Sequence, residues 1–500
     1  MQEKYAQLEQ KLNKIADLGG AMGLLGWDQE TYMPQGAIGP RAHQMGTLAS
    51  MMHEMVTDEE LGTLLDDLRG DTADLDYGSV EASTVRVMWR EFQKKVKIPR
   101  ELVVEQTELN AKAREAWKKA RAEDDFESFA PYLEQQFDLA QREAEALGYE
   151  ENPYDALLDQ YEADMTYALV SAEFDAVKGP LADLIAAIAA NSDRASSAVL
   201  KREYPQEGQL AFTRLVTEAV GFDYTTGRLD LSTHPFTGGT SYKDVRLTTR
   251  VEENWLPACV MAGLHEAGHG IHAQQLDPAL YRLPYRYGLG LAESQSRFYE
   301  NLLGRSYAFW QHFYPQLKAT FPDQLADTDL DAFYKAINVS EPSFIRVEAD
   351  EVTYGMHIML RFELENAAIN GQIAIRDLPE AWNARMEEYL GVVPPTDTVG
   401  ILQDIHWSQG YIGYFPTYLL GSMFANQLWD AMLVDIPDAE EKVAAGEFMP
   451  ITGWLAEHVQ AHGGKFTLSE MADRATGRAF TSAPYLDYLQ AKFSAIYELG

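Results

Sequence analysis

Between Met261 and His272 the chain reads M-A-G-L-H-E-A-G-H-G-I-H, and inside it His265, Glu266 and His269 form H-E-x-x-H. Residues four apart on an α-helix stand one turn above another on the same face. Two imidazoles so placed can each turn a nitrogen to one Zn²⁺, at about 2.0–2.1 Å. Glu266 follows the first ligand, so its carboxylate reaches a water on the metal rather than the metal itself. Zinc brings the pKa of that water towards about 7, and a glutamate there takes its proton as the water attacks a carbonyl. The chemistry is metal-assisted hydrolysis. Leu256, Val260, Met261, Leu264 and Ile271 surround the motif and call for a buried helix.

A third ligand is needed. The metzincin pattern requires glycine at 272 and histidine at 275, where this chain has His272 and Gln275. The alternative is a glutamate from a later helix, and Glu293 stands 24 residues after His269 (293 − 269) in A-E-S-Q-S-R-F-Y-E-N. Asp277-Pro278, Leu283-Pro284, Gly288 and Gly290 supply the turn and loop between the two helices. Glu300 lies on the same helical face as Glu293 and is the next choice, as ligand or as a partner behind the ligands. His272, three residues past His269, falls off the pair's axis and reads as a groove or core histidine.

The elements that must hold these groups are mostly helices. From Gln2 to about Arg202 apolar residues recur at helical spacing, as in Tyr5, Leu8, Leu12 and Ile15. Trp27-Asp28-Gln29-Glu30-Thr31 reads equally as a helix end with a packed tryptophan or as a cleft lining. Past Phe222 the period changes: 228–232 and 245–251 alternate and suggest two strands of a hairpin, joined by the glycine-rich 234–240 connection. An edge strand beside the metal helix would suit pairing with an extended peptide. Helices resume from about Leu256. One is expected to open at Phe344 and run past Glu365, with Arg346 and Asp350 as an ion pair one turn apart. The 400–418 segment mixes Asp404, His406, Trp407 and several tyrosines with glycines, a composition suited to a binding surface. His458 and His462 repeat the four-residue spacing without a following glutamate, and read as a surface pair.

Composition bounds the rest. The 77 Asp and Glu against 41 Lys and Arg give a net charge of −36, which repels phosphate backbones and argues against nucleic acid. The first residues form a charged amphipathic helix rather than a signal peptide, and no apolar run approaches the ~20 residues needed to span a bilayer. The single cysteine, Cys259, has no intrachain partner and reads as a buried structural thiol. A cytoplasmic location is expected. No linker or repeat divides the 500 residues, so the expectation is one mainly α body with a deep groove. Its parts are a helical 1–222, a small β region at 223–252 and a helical catalytic part at 253–500.

In order along the chain stand H-P-F (His234 to Phe236), D-V-R-L-T (Asp244 to Thr248), H-E-A-G-H, I-R-V-E-A-D (Ile345 to Asp350) and G-I-L-Q-D-I-H-W (Gly400 to Trp407). The ordered set resembles the carboxypeptidase Taq family of metallocarboxypeptidases over nearly the whole length. The resemblance implies a helical fold with a deep groove, a homodimer, and release of C-terminal residues with broad specificity, proline excepted. Zn²⁺ is the implied metal, with Co²⁺ or Mn²⁺ as substitutes. It further implies that Arg346 clamps the free carboxylate of the peptide, with His406, Tyr411 and Tyr418 near that carboxylate and the scissile carbonyl. His234, Asp244 and Arg246 would shape or close the groove. One signature departs: where the family writes H-E-S-Q, this chain has Ala292-Glu293-Ser294-Gln295, so the ligand is kept and the histidine before it is alanine. The rivals are a helical zinc oligopeptidase or dipeptidase and a peptide-binding relative without turnover.

Overall fold

The structure is a computed structural model and describes residues 1–283 and 287–499. Helices fill the chain on both sides of one three-stranded sheet. Among the described residues, no helix is long and apolar enough to cross a membrane. Apolar side chains from Leu102 to Tyr497 pack into one large core. A smaller, separate cluster joins Tyr5, Leu8, Leu12 and Ile15 to Leu61, Leu65, Leu68, Met88 and Phe92. The N-terminal helical layer therefore carries its own core.

The sheet differs from the expected hairpin. Its strands are β1 (Gly227–Leu231), β2 (Thr237–Ser241) and β3 (Asp244–Thr249), in the order β1-β3-β2. The alternating segments β1 and β3 pair in parallel, and the connection between them is itself the strand β2, antiparallel to β3. Gly238 and Gly239 conceal it, because a strand without side chains shows no alternation. β2 is an edge strand.

Two helices behind the sheet carry the H-E-x-x-H motif and Glu293. The histidine helix spans Pro257–Gln274, with proline in its first turn where no amide is needed. The glutamate helix spans Leu289–Arg297 and continues as a π-helical turn, Phe298–Leu303. The two cross almost backbone to backbone: a Cβ on Gly268 would lie 2.5 Å from the Gln295 carbonyl oxygen. A third helix, Pro416–Asp435, closes from the other side, where a Cβ on Gly421 would lie 2.6 Å from the Glu293 Cβ. Only glycine admits these approaches, and they bring Glu293 under the two histidines.

Three further expectations meet a different structure. No helix opens at Phe344: Arg346–Glu348 is a single 3₁₀ turn, and the helix begins at Tyr354 and ends at Ile369. Asp350 accepts from the Val352 and Thr353 amides and the Thr353 hydroxyl, so it braces the turn that leads into that helix and is no partner of Arg346. Arg346 turns instead to Asp404, 58 residues away. His458 and His462 do not share a helix, since one ends at His458 and His462 belongs to a separate turn. The His458 ring stacks on Trp454 at 4.1 Å and its Nδ1 bonds the Trp454 carbonyl, which ties it to that helix rather than to a metal.

Candidate metal centre and cleft

His265, His269 and Glu293 converge. Their ligand atoms all lie within 4.8 Å of one another, and Glu293 Oε2 is 3.7 Å from the Nε2 of each histidine. Three ligand atoms about 2.1 Å from a shared tetrahedral ion stand about 3.4 Å apart, so the donor set fits a divalent metal of the zinc type. The side chains are held from behind. His265 Nδ1 lies 2.8 Å from Glu300 Oε2, which leaves Nε2 for the ion. The main-chain carbonyl of Ala292 lies near enough to the His269 ring to favour its charged form. That contact needs no side chain at 292, so the alanine leaves it in place. Glu300 thus stands behind His265 and outside the convergent group.

The charges are strongly coupled. Burial lowers the pKa of both imidazoles, but Glu293 and Glu300 overrule it at His265 and push it up to about 9. At His269 burial and the neighbouring His265 charge prevail, and it falls to about 4. Burial alone would raise Glu293, yet Arg297 and the two histidines hold it below the usual carboxylate range. Nothing in the sequence marks Arg297: its Nε is 2.7 Å from Glu293 Oε1, four residues back on the same helix.

Glu266 is 6% exposed and stands beside the triad without joining it. Its Oε2 accepts a 2.6 Å hydrogen bond from the Thr237 hydroxyl on β2. Thr237 is equally unmarked, for T-G-G carries no pattern. Burial raises the Glu266 carboxyl above its ordinary value, against the pull of His265 and Thr237. A carboxyl so raised sits nearer the range in which such a group exchanges a proton.

The triad opens into a cleft of about 550 Å³. One wall is Pro235 to Gly239 with Ser241 and Val245, and another is Tyr414 and Tyr418. His272 is buried, stacks on Tyr287 at 4.5 Å, and lines the cleft rather than the metal. Tyr411 is 41% exposed and stacks on Tyr414, so Tyr414 is the ring that reaches the cleft. His406 Nε2 is 3.4 Å from the Tyr418 hydroxyl, and burial lowers His406 to about 4, leaving it neutral near pH 7. Burial keeps the Tyr418 hydroxyl protonated.

The remaining expected residues lie around this wall. Arg346 is 4% exposed beneath Tyr418 and Phe415, and both it and the fully buried Arg361 bond the single carboxylate of Asp404. Asp244 and Arg246 pair with each other at 2.8 Å and are not among the side chains that line the cleft. The Arg246 guanidinium lies 4.3 Å over the Trp27 ring, so the buried tryptophan packs the N-terminal helix on the sheet. His234 is exposed, next to the lining residue Pro235. Pro284, part of the expected turn, lies outside the described residues.

Comparison with known proteins agrees with this geometry. The model of the carboxypeptidase Taq (M32) metallopeptidase family matches residues 7–493. Carboxypeptidase 1 of Bacillus subtilis is 37% identical over 98% of this chain and 97% of its own length. Thermostable carboxypeptidase 1 of Thermus thermophilus is 37% identical over 99% of each chain. The crystal structure of the M32 carboxypeptidase from Deinococcus radiodurans superposes with a TM-score of 0.95 at 38% identity, covering 99% of this chain and 100% of that one. With an H-E-x-x-H helix, a glutamate brought under it and this match from end to end, the chain belongs to the carboxypeptidase Taq (M32) family of metallopeptidases and is a metallocarboxypeptidase, a hydrolase of peptide bonds.

Proposed function

We propose that the protein releases single C-terminal residues from peptides with broad specificity, proline disfavoured, using Zn²⁺ held by His265, His269 and Glu293. When bound, the ion supplies positive charge that acidifies a water and polarises the scissile carbonyl. Glu266, fixed by Thr237, takes the proton of the attacking water and hands it to the departing amine. The Tyr418 hydroxyl, with neutral His406 beside it, donates to the oxyanion. The peptide lies along β2, whose Thr237, Gly238 and Gly239 line the cleft.

The observation that carries the exopeptidase reading is the charge beneath Tyr418. Two buried guanidiniums, of Arg346 and Arg361, share one carboxylate, so this triplet keeps one positive charge uncompensated. A free C-terminal carboxylate is the substrate group that such a field selects. Arg346 is the nearer of the two to the cleft, through Tyr418 at 5.1 Å. Tyr411, Asp244, Arg246 and His234 then act on the shape of the groove, the middle two by holding Trp27 and the N-terminal helix against the sheet. Broad specificity is in keeping with a lining that, among the described residues, has Glu266 and Glu293 as its only carboxylates and no Lys or Arg. A matched pair of peptides, one with a free and one with an amidated C-terminus, tests the reading. Loss of cleavage on amidation is expected, and equal cleavage, or release of dipeptides, would replace it with an oligopeptidase. Sedimentation tests the implied homodimer.

A further inference from the structure

Glu293 has two oxygens, and the structure uses them differently. Oε1 accepts from Arg297 Nε at 2.7 Å, while Oε2 sits 3.7 Å from each histidine Nε2, with the Ser296 hydroxyl at 3.1 Å. The other arm of the same guanidinium, NH1, reaches Glu300 Oε2 at 3.3 Å, the oxygen that lies 2.8 Å from His265 Nδ1. Arg297 is itself fixed, its guanidinium 4.5 Å over the Tyr354 ring and its side chain 15% exposed. One fork thus touches the carboxylate of one ligand and the carboxylate that orients another.

We propose that Arg297 is a positioning residue that restricts Glu293 to one-oxygen ligation of the metal while locking the ring of His265 through Glu300. The inference rests on the ligand assignment above. A carboxylate oxygen engaged in a charge-assisted bond is a poor additional ligand, because coordination would have to break that bond. Released from Arg297, Glu293 can rotate and chelate through both oxygens. That would fill a position which a catalytic site must keep open for water and substrate. Lysine cannot replace the arginine here: a single ammonium on a flexible stem does not bond two carboxylates in a fixed plane.

The test uses the full chain, stripped of metal and reloaded with Co²⁺, in wild type, R297K and R297M. The intensity of the Co²⁺ visible bands reports coordination number, and competition with a chelator reports affinity. Wild type should show the intense bands of low coordination. Both variants should show weaker bands, and R297M a loss of affinity of about 10–100-fold. Should R297M fail to fold, as judged by its melting curve without metal, R297K decides by its band intensity. Wild-type intensity and affinity in the variants would overturn the proposal while leaving the ligand assignment standing. Failure of wild type itself to take up Co²⁺ would remove the assignment, and the proposal with it.

Discussion

Glu266 and His265 are neighbours in sequence to which the proposed function gives separate tasks, and substitution separates them. Glu266→Gln keeps the Thr237 contact and the three ligands, so metal content should be unchanged while kcat falls by about 10²–10⁴-fold, the usual worth of a general base. Retained turnover would exclude Glu266 as the base. His265 answers to pH. Its carboxylate neighbours push it up to about 9, so without metal it is protonated at neutral pH, whereas a ligating imidazole must be neutral. Metal uptake should therefore release one proton, and apparent affinity should climb about tenfold per pH unit between about pH 6 and pH 8. Chelator competition across that range checks it, and a flat profile would contradict it. The histidine pair and its glutamate were legible in the sequence because their geometry is local, one turn of one helix. Thr237 and Arg297 were not. Thr237 acts across 29 residues from a strand without periodicity, and Arg297 has the appearance of any arginine on a polar helix face.

Helix crossings place Glu293 beneath the two histidines, and they invert an ordinary expectation. Gly→Ala inside a helix stabilises by about 1 kcal/mol on propensity alone. At Gly268 the added methyl would meet the Gln295 carbonyl at 2.5 Å, so Gly268→Ala should lower the melting temperature and weaken metal binding together. A stabilised variant with normal affinity would show that the crossing is looser than described. The 404–418 wall depends likewise on a contact no spacing reveals. Arg346 read as the partner of Asp350, four residues on, because local pairs are all that a sequence displays; its partner is Asp404. Burial pushes the Asp404 carboxyl up, but Arg346 and Arg361 overrule it and hold it far below the carboxylate range. Such a group contributes stability that is present above about pH 4, its unfolded value, and is lost as pH falls below it. Asp404→Asn should cost about 3–5 kcal/mol near neutral pH, since Arg361 keeps its buried charge without a counter-ion. It should also flatten the acid limb of the stability profile. Urea melts at several pH values would show an unchanged limb if the triplet did not matter.

Helical class and a single sheet were readable along the whole chain, because 3.6-residue periodicity is strong over long elements. The strand order was not, since parallel pairing of β1 with β3 follows from tertiary packing and from a strand that two glycines conceal. Nor did composition announce that the N-terminal layer keeps a core of its own. That layer meets the sheet through Trp27, held by Arg246 and, at 5.0 Å, by Arg228. Even if every basic side chain paired with one acid, 36 acids would remain (77 − 41). Self-repulsion of that size is screened by salt, so the melting temperature should rise from low to physiological ionic strength. The proposed function rests on one cation held by His265, His269 and Glu293, the group that this architecture brings together. The decisive measurement is release of the C-terminal residue from an unblocked peptide before chelation, after it, and after Zn²⁺ is returned. Release should stop with the metal gone and resume when it is restored; release that continues undiminished in the stripped protein would contradict the account.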